Sequence, residues 1–223
     1  MRITISKENY LKAIAEAQSE GETVKAVTLT RWLHVSAPAV TMAIKRLKRD
    51  SLIRVDEDGR INLTAAGREI ANRLLNRHHL LERMLAEIFG LEWYKVHDEA
   101  EQLEHAVSAD FERKLAEKLG TGGPCPHGNL VGLESPEVRR RLGMKTLDEA
   151  QAGERLRVVS VFERDRSLLE LLDAMGIRPG VNLEVVSTGE KLEVQSHTGP
   201  LAIERAVAAK VWMQPAGHYS ERE

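Results

Sequence analysis

The stretch HDEAEQLEH, residues 97 to 105, opens and closes on histidine and carries four carboxylates between them. Imidazole and carboxylate at that density suit two kinds of chemistry, holding a divalent ion or activating water beside one. At 100° per residue, a helix would put Glu101 about 40° round from His97, Glu104 about 20° the other way and His105 about 80° round. These four side chains share roughly one quadrant, while Asp98 and Glu99 point elsewhere. On the preceding helical segment His78 and Glu82 form an i, i+4 pair on one face. If the two helices pack antiparallel, five or six nitrogen and oxygen ligands converge. With no thiolate among them, the ions expected are Mn, Fe, Co, Ni or Zn. A solvated helix face is the competing explanation, because one His-x-x-x-Glu pair is common on wet surfaces. Two such sets on successive helices bring the metal site level with it.

Hydrolysis is the other use of such residues. A catalytic zinc helix of the His-Glu-x-x-His kind needs a glutamate beside a ligating histidine, and the chain has no such spacing. An enzyme is therefore not expected. The lone cysteine, Cys125, lies two residues before His127 in CPHG, too little for a zinc site, and the loop is read as structural. His79 points about 100° away from His78 and is expected at the surface. Trp32, Trp93 and Trp212 sit in apolar contexts and are expected in the core.

Three kinds of element must position these residues. SKENYLKAIAEAQSEG has Tyr10, Leu11, Ile14 and Ala15 at helical spacing, with Ser6 as the expected N-cap and Gly21 as the stop. TLTRWLHV is a short helix from Thr28, and a turn at Val35 and Ser36 leads into APAVTMAIKRLKRD, with Pro38 in its first turn. SLIRVDEDGRINLT alternates around Asp58-Gly59, a hairpin signal. That order is a winged helix-turn-helix over residues 1–73.

Residues 74–143 are read as mostly helical. LLNRHHLLERMLAEIFG ends at Gly90, and EWYKVHDEAEQLEHAVSADFERKLAEKLG is expected as one long helix ending at Gly120. Leu80, Leu81, Leu85, Ile88, Phe89, Leu91 and Trp93 supply more apolar surface than one small segment needs, either core or a subunit interface. From 144 to 223 the period shortens. ERLRVVSVFE, VNLEVVSTG, EKLEVQSHTG and AAKVWMQ read as strands, interrupted by the helix SLLELLDAMG and punctuated by Gly and Pro. The fold class is thus α+β and multidomain, ending in a small SH3-like β-barrel with AGHYSERE as a frayed tail.

Composition narrows the class further. Residues 1–73 carry 13 Lys and Arg against 9 Asp and Glu, whereas the remainder carries 19 against 25, within a formal net charge of −2. A basic first segment on an acidic remainder points to a polyanion partner for that segment. A single cysteine, no signal peptide and no long apolar run fit a reducing cytoplasm.

The stretch NRHHLLERMLAEIFGLEWYKVHDEAEQLEHAVS, taken with ENYLKAI, VSAPAVTMAIKRLKRDSLI, LTAAGREIA and CPHGN, resembles the diphtheria toxin repressor family of iron- and manganese-dependent bacterial repressors. The likeness covers nearly the whole chain and includes the C-terminal SH3-like (ferrous-transport-A-like) domain of the longer members. It implies a cytoplasmic homodimer that binds a palindromic operator in double-stranded DNA when metal is bound, with residues 74–143 serving dimerisation and metal binding. It further implies two metal positions. His78, Glu82 and His97 match an ancillary one, completed by Glu163 from the SH3-like domain, with Asp165 as second choice. Glu101, Glu104 and His105 match a primary one, together with position 9.

Here the chain departs from both branches of the family. The iron-responsive branch has cysteine where Glu101 stands and methionine where Asn9 stands. The manganese branch has glutamate like Glu101, but aspartate in place of Asn9 and a carboxylate in place of Lys12. Oxygen for sulfur favours the harder ion, so Mn(II) is expected first and Fe(II) second. Within the winged helix, Ser36, Pro38, Ala39 and Thr41 would meet bases and thymine methyls, while Lys45, Arg46, Lys48, Arg49 and the wing residue Arg60 would sit on phosphates. A regulator whose metal site is vestigial and which answers to another ligand is the alternative.

Overall fold

The computed structural model of the chain describes residues 4–132 and 135–217. The first module is α1 (Ile5–Ser19), α2 (Ala26–Leu33), α3 (Ala37–Arg49) and the hairpin β1 (Ile53–Val55) and β2 (Ile61–Leu63), followed by α4 (Ala65–Arg83). Thr4 caps α1, accepting from the Lys7 amide, in place of the expected Ser6. The α2 helix ends on His34, whose left-handed backbone (φ 52°) makes the sharp turn into α3. Leu11, Ile14, Leu29, Leu47, Ile53 and Ile61 form a fully buried core here. Gly67 lets α4 cross this module closely: a Cβ there would lie 2.0 Å from the Leu52 carbonyl oxygen.

One helix links two cores. Ala71, early in α4, belongs to the winged-helix core, whereas Leu80 and Leu81, near its end, pack with Ala100 and Leu115. Beyond α4 the chain tightens into a π-helical turn (Met84–Ile88), then runs into α5 (Val96–Leu103), α6 (Ala109–Leu119) and α7 (Pro136–Arg141). The expected single helix from Glu92 to Gly120 is two helices. It begins at Val96 and breaks after Leu103, because Ser108 caps a new start by accepting from the Phe111 amide at 3.2 Å. Ile88, Phe89, Leu103 and Phe111 remain exposed, while Leu80, Leu81 and Trp93 are buried.

The last module is one antiparallel sheet of six strands in the order β3-β8-β4-β5-β6-β7. Its members are β3 (Lys145–Thr146), β4 (Arg155–Val161), β5 (Asn182–Thr188), β6 (Lys191–Ser196), β7 (Gly199–Glu204) and β8 (Val211–Pro215), with α8 (Arg166–Ala174) and α9 (Arg205–Ala208) packed alongside. Leu156, Val158, Leu169, Leu172, Ile177 and Leu192 fill its interior, and Trp93 from the helical segment joins them. Bulges in the β4–β8 and β5–β6 ladders bend the sheet. Two strands, β3 and β7, lie outside those the alternation predicts. Residues 218–223 of the expected tail lie outside the described residues. Among the described residues no helix is long and apolar enough to cross a membrane.

Candidate metal centre

The end of α4, the first turn of α5, the CPHGN loop and the chain just after β4 meet at one buried point. His78, Glu82, His97 and Glu163 each present a donor atom there, all within 4.8 Å of one another. Helical spacing puts His78 and Glu82 one above the other, with His78 Nε2 3.2 Å from Glu82 Oε1. Across the helix pair, His97 Nδ1 lies 3.1 Å from Glu82 Oε1, 3.0 Å from His78 Nε2 and 3.9 Å from Glu163 Oε1. All four side chains are buried.

The loop adds residues that sequence spacing assigned elsewhere. Gly128 (φ +83°) brings it against the barrel so closely that a Cβ would sit 1.9 Å from the Val159 carbonyl oxygen. The Val161 amide donates to the His127 carbonyl at 3.0 Å, extending the edge of β4. His127 is fully buried and donates from Nε2 to the Trp93 carbonyl at 2.9 Å. That bond fixes the ring and turns Nδ1 toward Glu82 Oε1 (3.4 Å) and Glu163 Oε2 (3.5 Å). Asn129 donates to Glu163 Oε2 at 2.7 Å and so holds the carboxylate in place. Cys125 Sγ donates to the same oxygen at 3.2 Å. His79, Glu82, Cys125 and Glu163 form a second convergent set. The expectation of a surface His79 is therefore corrected: His79 is buried, and it lines the cluster with Cys125 and His127 of the loop.

Charge and hydrogen bonding fit an ion. Among the described residues Glu82 Oε2 is buried with no hydrogen-bond partner; His97 Nε2, also without one, faces away from the cluster, 3.7 Å from Glu101 Oε1. A buried polar atom without a partner costs about 1–3 kcal/mol, so the bare Glu82 oxygen favours a positive ligand beside it. Burial lowers the His78 imidazole, and Lys12 adds to that, yet the Glu82 charge and hydrogen bonds to Glu104 and Glu82 carry it up to about 9. His127 is likewise lowered by burial and then raised by Glu82 and Glu163 to about 10. Without an ion, these two imidazoles hold protons that balance the carboxylates. Metal binding displaces such protons. Burial, with Glu163 and Glu82 pushing the same way, keeps the Cys125 thiol well above its usual range. The donor set is thus imidazole and carboxylate, suited to divalent Mn, Fe, Co, Ni or Zn.

A second, outer group lies between α1 and α5. The break after Leu103 lets His105 Nε2 meet Asn9 Oδ1 at 2.6 Å, with Glu104 Oε1 at 3.4 Å. Glu101 stays half-exposed and is engaged by Arg164 Nη1 at 3.0 Å. Lys12, on α1, donates to Glu104 Oε2 at 2.8 Å and lies 3.7 Å from Glu101 Oε1. Burial raises the Glu104 carboxyl, but the hydrogen bond from His78 and the Lys12 charge pull it down to about 2. Asn9, Glu101, Glu104 and His105 are therefore neighbours, but two fixed cations share their space. Asp165 is occupied otherwise, capping α8 by accepting from the Leu168 amide at 3.0 Å.

In the first module, Ser36, Pro38, Ala39, Thr41, Lys45, Arg46, Lys48 and Arg49 are all exposed along α3 and its N-cap. Val40, Ala43 and Leu47 turn inward on the same helix. Arg60 is exposed in the wing and pairs with Asp58.

Comparison with known proteins covers all three modules. Residues 2–60 match the description "Iron dependent repressor, N-terminal DNA binding domain", residues 64–131 "Iron dependent repressor, metal binding and dimerisation domain", and residues 145–215 "FeoA domain". The diphtheria toxin repressor of Corynebacterium diphtheriae is 34% identical over 202 residues, spanning 86% of this chain and 88% of its own length. The iron-dependent repressor IdeR of Mycobacterium tuberculosis is 32% identical over 219 residues, spanning 92% and 95%. A solved manganese-dependent transcriptional repressor in complex with manganese superposes with a TM-score of 0.83 at 27% identity, covering 94% of this chain and all of that one.

Proposed function

The chain belongs to the iron-dependent repressor family, and on that premise we propose that it represses genes of metal-ion homeostasis when Mn(II), or next Fe(II), is bound. It is a metal-dependent, DNA-binding transcriptional regulator, in a family of repressors rather than enzymes. The observation that carries the metal assignment is the buried convergence of His78, Glu82, His97 and Glu163, where one Glu82 oxygen has no hydrogen-bond partner among the described residues. His127 joins them as a ring already oriented by Trp93.

A bound divalent ion supplies the charge that neutralises Glu82 and Glu163 together. The residues around it do the rest. His78 and Glu82 belong to α4, His97 to α5 and Glu163 to the barrel, so holding all four in one geometry fixes three elements against each other. Next to Glu163, Arg164 reaches Glu16 Oε2 at 2.8 Å and the Trp32 carbonyl at 3.3 Å. Trp32 lies in α2, one turn before the exposed helix α3. The arrangement supports a shift toward one orientation of α3, by as much as the metal prefers that orientation over others.

We further read residues 1–73, 74–143 and 144–223 as DNA-binding, dimerisation and SH3-like units of a cytoplasmic homodimer. A twofold dimer presents two copies of α3 to a palindromic operator. The α3 start offers only Ser36, Pro38, Ala39 and Thr41 to bases, so methyl contacts and DNA shape carry most of the specificity. Exposed Ile88, Phe89 and Phe111 fit a subunit interface.

Fluorescence anisotropy on a labelled duplex from the chain's own upstream region tests this reading. Binding is expected with added Mn(II) and not in chelator. Equal affinity in both conditions would leave a winged-helix protein governed by some other ligand.

A further inference from the structure

Lys12 is a buried lysine in a place where the family resemblance expects metal chemistry. Its side chain is only 3% exposed. Burying an ammonium is costly unless it is paired, and here the pairing is dense. Nζ lies 2.8 Å from Glu104 Oε2, 3.7 Å from Glu101 Oε1 and 3.9 Å from Glu16 Oε1. It also lies 3.0 Å from His78 Nδ1, the ring nitrogen opposite the one facing the inner cluster. Arg164 supplies a second fixed cation to the same carboxylates, 3.0 Å from Glu101 and 2.8 Å from Glu16. Three carboxylates thus face two permanent positive charges.

The remaining members of this outer group fit a metal poorly. Asn9 offers a neutral oxygen, already 2.6 Å from His105 Nε2, the nitrogen that also faces Glu104. A divalent ion held by Glu101 and Glu104 would have to share both with an ammonium a few ångströms away, and like charges repel strongly where water is scarce. Glu104 cannot turn away, because Lys12 and His78 Nδ1 both hold its Oε2, at 2.8 and 2.7 Å. The inner cluster, in contrast, has a Glu82 oxygen without a partner among the described residues and no lysine or arginine among its members.

We infer that the chain binds one transition-metal ion per subunit, at the inner cluster, and that the Lys12 ammonium permanently takes the place of a second cation among Glu101, Glu104 and Glu16. The consequence is structural. Lys12 belongs to α1 of the DNA-binding module, and Glu104 follows α5 of the helical one. Their pairing ties the modules together whether or not metal is present, leaving the inner ion to set the position of the barrel. Lys12 is a positioning residue in this scheme, not a ligand.

The inference rests on the metal-dependent reading above, and a metal count separates the two. Full-length protein is equilibrated with Mn(II), passed through a desalting column into metal-free buffer and analysed for bound metal, with free Mn(II) followed by electron paramagnetic resonance during titration. Wild type is expected to hold one ion per subunit. His105→Ala is expected to keep that count, His97→Ala to lose it, and Lys12→Glu to gain a second ion. Two ions in wild type, or one ion lost in His105→Ala and kept in His97→Ala, would overturn the inference while leaving metal dependence intact. No bound metal in wild type would overturn both. Should Lys12→Glu fail to fold, as circular dichroism would reveal, the wild-type and two histidine counts still decide.

Discussion

Phe162 meets Trp32 edge to face, their ring centroids 6.3 Å apart, so the end of the barrel's β4 strand rests on the helix that precedes the exposed α3. The Arg164 guanidinium lies over the same indole, 5.1 Å from its centroid. Glu163, between them, turns the other way into the inner cluster. Three consecutive residues therefore touch the metal centre and the DNA-binding module at once.

Arg164→Ala tests that linkage. It removes the partner of Glu16 and Glu101 and the cover of Trp32. A stability loss of about 2 kcal/mol is expected in urea unfolding, because the buried Glu16 is left with the longer 3.9 Å contact to Lys12. Metal is still expected to bind, with a weaker effect on DNA affinity. An unchanged metal response would show that the barrel does not transmit the signal.

Asn129→Ala leaves every proposed ligand in place but removes the shorter of the two hydrogen bonds to Glu163 Oε2, 2.7 Å against 3.2 Å from Cys125. Losing such support typically costs roughly 10- to 100-fold in metal affinity. Competition against a chelating dye measures it, and wild-type affinity would count against Glu163 as a ligand.

Gly128→Ala meets a backbone wall. The new methyl group would collide with the Val159 carbonyl, at a φ of +83° that side chains rarely adopt. The CPHGN loop should lift from β4, carrying His127 away from Glu82. A loss of about 2 kcal/mol or more is expected in thermal unfolding, together with weaker metal binding. A wild-type melting profile would contradict the close approach.

Arg60→Ala concerns the wing. Its side chain is 60% exposed and pairs with Asp58. As a phosphate contact, its removal should weaken operator and random DNA alike and reduce the salt slope by about one. A loss confined to the operator would instead make Arg60 a reader of bases.

How much of this was legible in the sequence follows from the range of each signal. The His78–Glu82 pair is a helical-period feature that counting residues finds, whereas the grouping of His97 with that pair comes from the family resemblance, since counting alone sets His97 beside Glu101, Glu104 and His105. The winged helix carries its own punctuation at Pro38 and Asp58-Gly59. The break at Ser108 was written as a cap, yet an apolar period running through it hid the turn that sends His105 toward Asn9. A single helical period cannot reveal that His79 is buried, because the helices and the C-terminal sheet cover α4 on two sides. Cys125, His127 and Asn129 lie in a loop without period, and they reach Glu163 only through contacts 34 or more residues apart. The β7 strand begins at Gly199-Pro200 on the sheet's edge, where proline is tolerated but the strand signal is weak.

The central claim is that metal at the inner cluster governs DNA binding. The most direct test is the Mn(II) concentration giving half-maximal operator binding, compared between wild type and His97→Ala. His97 belongs to α5 and touches Glu82 and His78, whereas the residues proposed to meet DNA belong to α3 and the wing. The account predicts a curve displaced at least tenfold to higher Mn(II), about 1.4 kcal/mol or more of lost metal affinity. Superimposable curves would contradict it.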